Sequence, residues 1–184
     1  MNDRNEENRI IESTTRSRWH EPERSIEMLR DFLRLHPLAT RAKLTLASIF
    51  ADEYGEDVPG AERLYREVLT RFPENVPALC GLAMLHGRSG SSVAEEESIR
   101  LLTRAAEVSQ DIDILSNLAH KLWDVGRLSE AQRVFEQLLS AAKAKGKKHV
   151  VRTAEQALKA IRRGKRPTSL SYSWPSVENV GPDG

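Results

Sequence analysis

Histidine and cysteine are the residue types in this 184-residue sequence most able to bind metals or act as nucleophiles. None of the five histidines belongs to a metal-binding motif such as H-E-x-x-H, and there is no C-x-x-C motif. Cys80 has no partner thiol, and packing is favoured over a nucleophilic role with His120 because buried thiols are inert. The sequence also lacks a Walker-type loop and a dinucleotide fingerprint. We therefore expect no enzymatic activity, no metal and no cofactor.

The amino-acid composition indicates a polar, helical chain. Charged residues make up 30% and hydrophobic residues 39%, and the mean hydropathy is −0.51. No stretch approaches the roughly 18 apolar residues of a membrane helix. The first eight residues are polar and form no signal peptide. A single cysteine is typical of a reducing compartment. The expectation is a soluble, cytoplasmic, helical protein.

A paired-helix pattern recurs along the chain with a period near 36 residues. Two segments end alike at Pro37 and Pro73, which are 36 residues apart. Leu-Ala pairs recur at the same interval: Leu46-Ala47, Leu82-Ala83 and Leu118-Ala119. A second series places a small residue four positions before a large one: Ser25 and Leu29, Ala61 and Tyr65, Ser98 and Leu102, Ala131 and Phe135. Apolar residues within each segment follow the helical spacing i, i+3, i+4, i+7, which predicts an all-α fold.

Turn and cap residues separate the predicted helices. Asn75 before Val76-Pro77 predicts a helix N-cap followed by proline in the first turn. Two pairs have the spacing of a capping box: Ser92 with Glu95, and Ser129 with Gln132. Three glycines lie between paired helices, where a residue with positive φ is needed: Gly55, Gly90 and Gly126.

The stretch from Leu115 to Leu139 resembles a tetratricopeptide repeat (TPR). The matching positions are the Leu-Gly pair at Leu118-Ala119, the tyrosine position at Leu122, the turn glycine at Gly126, and the Ala and Phe of the second helix at Ala131 and Phe135. The resemblance extends over about residues 9–143. It implies a right-handed superhelix of three to four helix pairs plus a C-terminal capping helix. Repeats of this family are scaffolds with unrelated partners, so the resemblance implies a binding protein without naming what it binds.

The predicted domain organisation has three parts. Residues 1–8 are expected to form a disordered N-terminus and residues 9–163 the repeat domain. Its last helix, at 148–163, caps the stack with one apolar face: Val151, Ala154, Leu158 and Ile161. Residues 164–184 are expected to be a flexible tail, with the alternative that Trp174 docks in the repeat groove.

The resemblance also implies a ligand groove lined by the first helix of each repeat. Its contact positions fall on Arg41, Leu44, Ser48, Cys80, Met84, Ser116, His120 and Trp123, together with Ala51, Pro77, Gly87 and Asp113. Met84 and Trp123 are the expected anchors for an apolar or aromatic peptide or helix. The alternative is that both pack between repeats. The lysines that grip a C-terminal carboxylate in some TPR proteins are missing here.

Charge is distributed unevenly although the net charge is +1. Residues 141–166 contain ten Lys or Arg and one acid, whereas residues 1–140 sum to −6. A contact with nucleic acid or an anionic surface would use Lys147, Lys148, Arg152, Lys159, Arg162 and Arg163. The alternative is a solvated capping helix, and no aromatic residue lies between Phe135 and Tyr172 to stack on bases.

The leading functional hypothesis is a protein-interaction adaptor that binds a partner protein in its groove. The alternatives are binding of nucleic acid or an anionic surface through the basic segment, and an obligate subunit of a larger assembly. The sequence leaves the oligomeric state open.

Overall fold

The computed structural model describes residues 3–17, 19–52 and 57–165. In these ranges the chain forms nine helices and no strand, which confirms the all-α prediction. The helices are α1 (Asp3–Ser17), α2 (Pro22–Leu35), α3 (Thr40–Ala51), α4 (Val58–Arg71), α5 (Val76–Arg88), α6 (Ser92–Ser109), α7 (Ile112–Asp124), α8 (Leu128–Ala144) and α9 (Lys148–Arg162). No helix in the described ranges has the length and apolar character needed to cross a bilayer.

The described helices belong to two compact units. Unit 1 contains α1–α5 and ends at Ser89, and unit 2 begins at Gly90 and contains α6–α9. In unit 1, α3 is central and packs against α1, α2, α4 and α5. In unit 2 each helix packs on the next, so that α7 lies against α6 and α8, and α8 against α9. Packing between successive neighbours is characteristic of a helical repeat. We call α1, α3, α5 and α7 the A helices and α2, α4, α6 and α8 the B helices.

The repeated residues of the B helices form the core of both units. The four small residues of the series, Ser25, Ala61, Ser98 and Ala131, are all 0% exposed. The large residues one turn later, Leu29, Tyr65, Leu102 and Phe135, are also 0% exposed. The three Leu-Ala pairs of the A helices are buried as well. Residues at i and i+4 share one face of a helix, so the repeat predicted from sequence is the buried face of each pair.

A close approach between α4 and α5 depends on Gly81. A Cβ atom at this position would lie 2.3 Å from Cζ of Tyr65, whose side chain is fully buried. A glycine here lets the Tyr65 ring pack directly against the backbone of α5. The contact explains why the repeat has a glycine before its Leu82-Ala83 pair, a feature that the periodicity alone does not explain.

Some predicted caps are present and others are not. Asn75 accepts a hydrogen bond from the Ala78 amide at 3.0 Å, and Gly90 and Gly126 have positive φ, as predicted. The two capping boxes are wrong because Ser92 already lies inside α6 and Ser129 inside α8. The preceding residues, Ser91 and Arg127, take the N-cap positions without a side-chain cap bond. Gly55 lies outside the described residues.

The ends of the chain differ from the prediction in one respect. Helix α1 begins at Asp3, so residues 3–8 are helical and not a disordered terminus. The predicted capping helix corresponds to α9, and its buried residues are Ala154, Ala157, Leu158 and Ile161, with Val151 only half-buried. Residues 166–184, including Trp174, lie outside the described residues.

Candidate functional site

The predicted groove residues of α3 differ in accessibility. Arg41 is exposed and donates a hydrogen bond to the side-chain oxygen of Asn8 on α1. Leu44 and Ser48 are buried, and the Ser48 hydroxyl donates to the backbone oxygen of Thr45 at 2.8 Å. Of these three residues, only Arg41 retains enough surface to contact a ligand.

The groove residues of α5 also differ. Cys80 is buried among the repeat contacts, whereas Met84 is half-buried. His86 is also half-buried, with Nε2 3.8 Å from a carboxylate oxygen of Glu62 on α4. Met84 is therefore the residue of unit 1 that combines a polarizable, adaptable side chain with accessible surface.

The polar ends of α3 are satisfied by its neighbouring A helices, a feature that the sequence reasoning missed. A carboxylate oxygen of Glu7 on α1 accepts a hydrogen bond from the Ala42 amide at 3.0 Å. At the other end, Nη1 of Arg88 on α5 donates to the Ala51 carbonyl at 2.6 Å. An acid at the helix N-terminus and a cation at its C-terminus both match the helix dipole. The two residues of each pair are about one repeat apart in sequence, so the repeat period was the sequence signal that could have indicated these contacts.

Two predicted groove residues of unit 2, His120 and Trp123, pack against the same aromatic ring. Trp123 is 5% exposed, and its ring meets that of Phe135 on α8 edge-on, with centroids 5.9 Å apart. The His120 ring also meets Phe135 edge-on, at 5.0 Å. The Trp123 indole N–H donates to the Lys165 carbonyl at 3.2 Å. These contacts favour the packing alternative for Trp123, because little of its surface is left for a ligand.

Hydrogen bonding fixes the tautomer of His120. Its Nδ1 lies 2.8 Å from the backbone oxygen of Ser116, which can only accept, so Nδ1 carries the proton. Burial lowers the pKa of His120 below its usual value, and this effect outweighs the Ser116 hydrogen bond and the charge of Asp124, which both act to raise it. His120 is therefore held in its neutral form in folded unit 2.

A buried amide next to Ser116 has an unsatisfied donor. Asn117 is 7% exposed, and its Nδ2 has no hydrogen-bond partner in the described part of the chain. Asn117 shares a helix face with Asp113, one turn before it, and with Asp124, two turns after it. Both aspartates are exposed. An unpaired buried donor costs about 1–3 kcal/mol, which a ligand acceptor could recover.

The predicted cationic residues all lie on the surface of unit 2. Lys147, Lys148, Arg152, Lys159, Arg162 and Arg163 are exposed. No metal-binding group of three or more His, Cys, Asp or Glu side chains occurs among the residues that the structure describes.

The class of protein that these helices define is an all-α helical-repeat protein. No family model matches the chain. It is similar to cellulose synthase operon protein C of Escherichia coli strain K12, with 30% identity over 135 residues that cover 73% of this chain and 11% of that protein. The putative cellulose synthase operon protein C of Escherichia coli O157:H7 is 29% identical over 135 residues, with the same coverage. The chain spans about a tenth of the length of these curated relatives.

Proposed function

We propose that this chain is a non-enzymatic protein-interaction scaffold of the TPR type, in which the outward faces of the A helices bind a peptide or helix of a partner protein. The repeating buried core supports the TPR assignment, because the small and large residues of all four B helices and the Leu-Ala pairs of three A helices recur in one register. The relatives' name refers to an operon and not to a partner, and we carry no partner over from it.

The observation that carries the binding role is the unpaired Nδ2 of Asn117. It lies one residue from Ser116, which is half-buried, and one turn from the exposed Asp113. Because Nδ2 is itself buried, an oxygen of a partner would supply the missing acceptor once the side chains around Asn117 move on binding. The ligand face in unit 2 is thus polar, with the exposed Asp113 and the half-buried Ser116 as its accessible contacts and Asn117 as a buried one. In unit 1 the ligand face includes the exposed Arg41 and the half-buried Met84. This selection leaves out the buried groove residues Leu44, His120 and Trp123.

Replacement of Asn117 by leucine separates binding from folding. The side chains are similar in size, so Asn117→Leu removes the unsatisfied donor without opening a cavity. We expect unchanged or slightly higher stability, because a buried polar group without a partner is lost. We expect about tenfold weaker partner binding, which is the effect of one hydrogen bond of about 1.4 kcal/mol.

The test is affinity capture from a lysate of the source cells, quantified by mass spectrometry for wild type, Asn117→Leu and the control Gln137→Leu at an exposed position of α8. The proposal predicts a nuclease-insensitive protein retained by wild type and by the control, and depleted with Asn117→Leu. Equal retention by all three variants, or no protein enriched over an unrelated bait, would overturn it.

A further inference from the structure

The outward face of α9 presents a row of cations at the surface of unit 2. Lys148, Arg152, Lys159 and Arg163 follow one another at helical spacings of four, seven and four residues, and Arg162 lies beside the last of them. All five side chains are exposed. At 1.5 Å per residue the row is about 22 Å long.

Among residues 141–165, which include α9, negative charge is confined to one side chain. Glu155 is the single acid of residues 141–165, and it pairs with Lys143 at 3.5 Å. None of the five cations of the row has an ion pair in the described part of the chain, and Lys145, Lys147 and Lys165 add exposed positive charge at the two ends of α9. The row is thus a concentration of uncompensated charge in a chain whose net charge is +1.

The chemistry of this face distinguishes between anionic partners. It has no Tyr, Trp, Phe or Met side chain, so arginine is the one residue type that it shares with the set enriched at protein–protein interfaces. The apolar face of α9, with Leu158 and Ile161, is buried and cannot enter a lipid surface. The outward face also offers no Tyr, Trp or Phe ring as a stacking platform for unpaired bases.

We propose that the α9 row, defined as Lys148, Arg152, Lys159, Arg162 and Arg163, binds the phosphate backbone of duplex nucleic acid without sequence specificity. Lysine and arginine on a straight helix are suited to contacting successive phosphates, and such contacts require neither base readout nor aromatic stacking. This surface is distinct from the A-helix faces and does not depend on the proposed protein-binding role.

Salt dependence provides the quantitative test of the α9 row. Five phosphate contacts on B-form DNA predict a slope of about −4.5 in log K against log salt, which is about a 500-fold loss of affinity between 50 and 200 mM. The variant Lys148→Gln/Arg152→Gln/Lys159→Gln should reduce the slope to about −2. The matched control is Arg9→Gln/Arg63→Gln/Arg133→Gln, which removes the same charge at exposed positions outside α9.

Binding is measured by fluorescence anisotropy of a labelled 20-base-pair DNA of random sequence, with the full chain at 50 mM salt. Binding by wild type and the control, with the predicted slope and a strong loss in the α9 variant, supports the proposal. No binding at 50 mM salt, or equal loss in both variants, would overturn it. Tighter binding to anionic vesicles or to polyglutamate than to the duplex would also overturn it, because the surface would then recognise another class of anion.

Discussion

The central A helix of each unit has its ends stabilised in a different way. In unit 1, α3 has no side-chain cap of its own, and it depends on Glu7 of α1 and Arg88 of α5. In unit 2, α7 carries its own cap at Asp111, which accepts from the Asp113 amide at 2.8 Å.

The C-terminus of α7 is also capped by residues next to it in the sequence. Gly126 takes φ of 80°, its amide donates to the Trp123 carbonyl, and the Arg127 amide donates to the Leu122 carbonyl at 2.9 Å. This is the Schellman arrangement of a helix that ends by itself. The difference teaches that a helix without caps in its own sequence can be held by neighbours one repeat away. Folding of α3 is then coupled to α1 and α5, whereas α7 depends on its side chains in the core.

The largest expected effect tests the core of unit 2. Trp123→Ala removes the ring that packs on Phe135 and the donor to the Lys165 carbonyl, so we expect the free energy of unfolding to fall by about 3–5 kcal/mol. Urea unfolding followed by circular dichroism measures this. Trp123→Phe keeps an aromatic ring, and we expect it to retain most of the stability. A loss below 1 kcal/mol for the alanine variant would show that Trp123 is not a core residue.

The next effect concerns the close approach inside unit 1. Gly81→Ala places a Cβ against the fully buried Tyr65 ring, so we expect a loss of about 1–3 kcal/mol in the free energy of unfolding. Since leucine is shorter than tyrosine, Tyr65→Leu should make the added methyl group tolerable. The double variant Gly81→Ala/Tyr65→Leu should therefore be less destabilised than the sum of the two single changes. Strict additivity in thermal or urea unfolding would contradict the contact.

The cap variants test the comparison directly. Glu7→Ala and Asp111→Ala should each lower stability by about 1 kcal/mol, because each removes an acceptor for a helix N-terminus. Hydrogen exchange should place the two effects differently. For Glu7→Ala, faster exchange is expected in α3, about 35 residues away from the mutation, and for Asp111→Ala at the start of α7 itself. Glu12→Ala, at an exposed position of α1, is the control. Exchange changes confined to α1 in the Glu7 variant would refute the shared cap.

The smallest effect is a pH dependence specific to unit 2. Because burial lowers the pKa of His120, the unfolded chain binds the proton more tightly than the folded chain. The stability contribution is complete above the unfolded value near 6.5 and is lost as the pH falls below it, by at most about 1.4 kcal/mol per pH unit. His120→Gln should flatten the decline in unfolding free energy between pH 7.5 and 5.5. An identical decline in both proteins would exclude His120 as its source.

The period in the sequence was sufficient to predict the helix pairs and their buried faces. Residues such as Ala61 and Phe135 recur at fixed offsets, and a helix allows only one face to carry them. The capping-box predictions were wrong because spacing alone does not locate the start of a helix. Ser92 and Ser129 have the right spacing, but the N-caps are the earlier residues Ser91 and Arg127.

Long-range contacts could not be predicted in the same way. The buried Trp123 indole N–H donates to the carbonyl of Lys165, which is 42 residues away in sequence. The side-chain amide of Asn117 is unpaired because no acceptor in the described part of the chain reaches it, and sequence spacing cannot predict this. The groove positions predicted from the TPR resemblance therefore included core residues as well as accessible ones.

The central claim is that a partner protein binds the A-helix faces. A photo-crosslinking amino acid would be placed at exposed A-helix positions, Arg41 in unit 1 and Asp113 in unit 2, and at exposed B-helix positions, Arg63 and Arg133. After irradiation in cells, we expect one protein to be crosslinked from the A-helix positions and to be absent from the B-helix positions. A crosslinked protein recovered equally from the B helices, or from them alone, would contradict it.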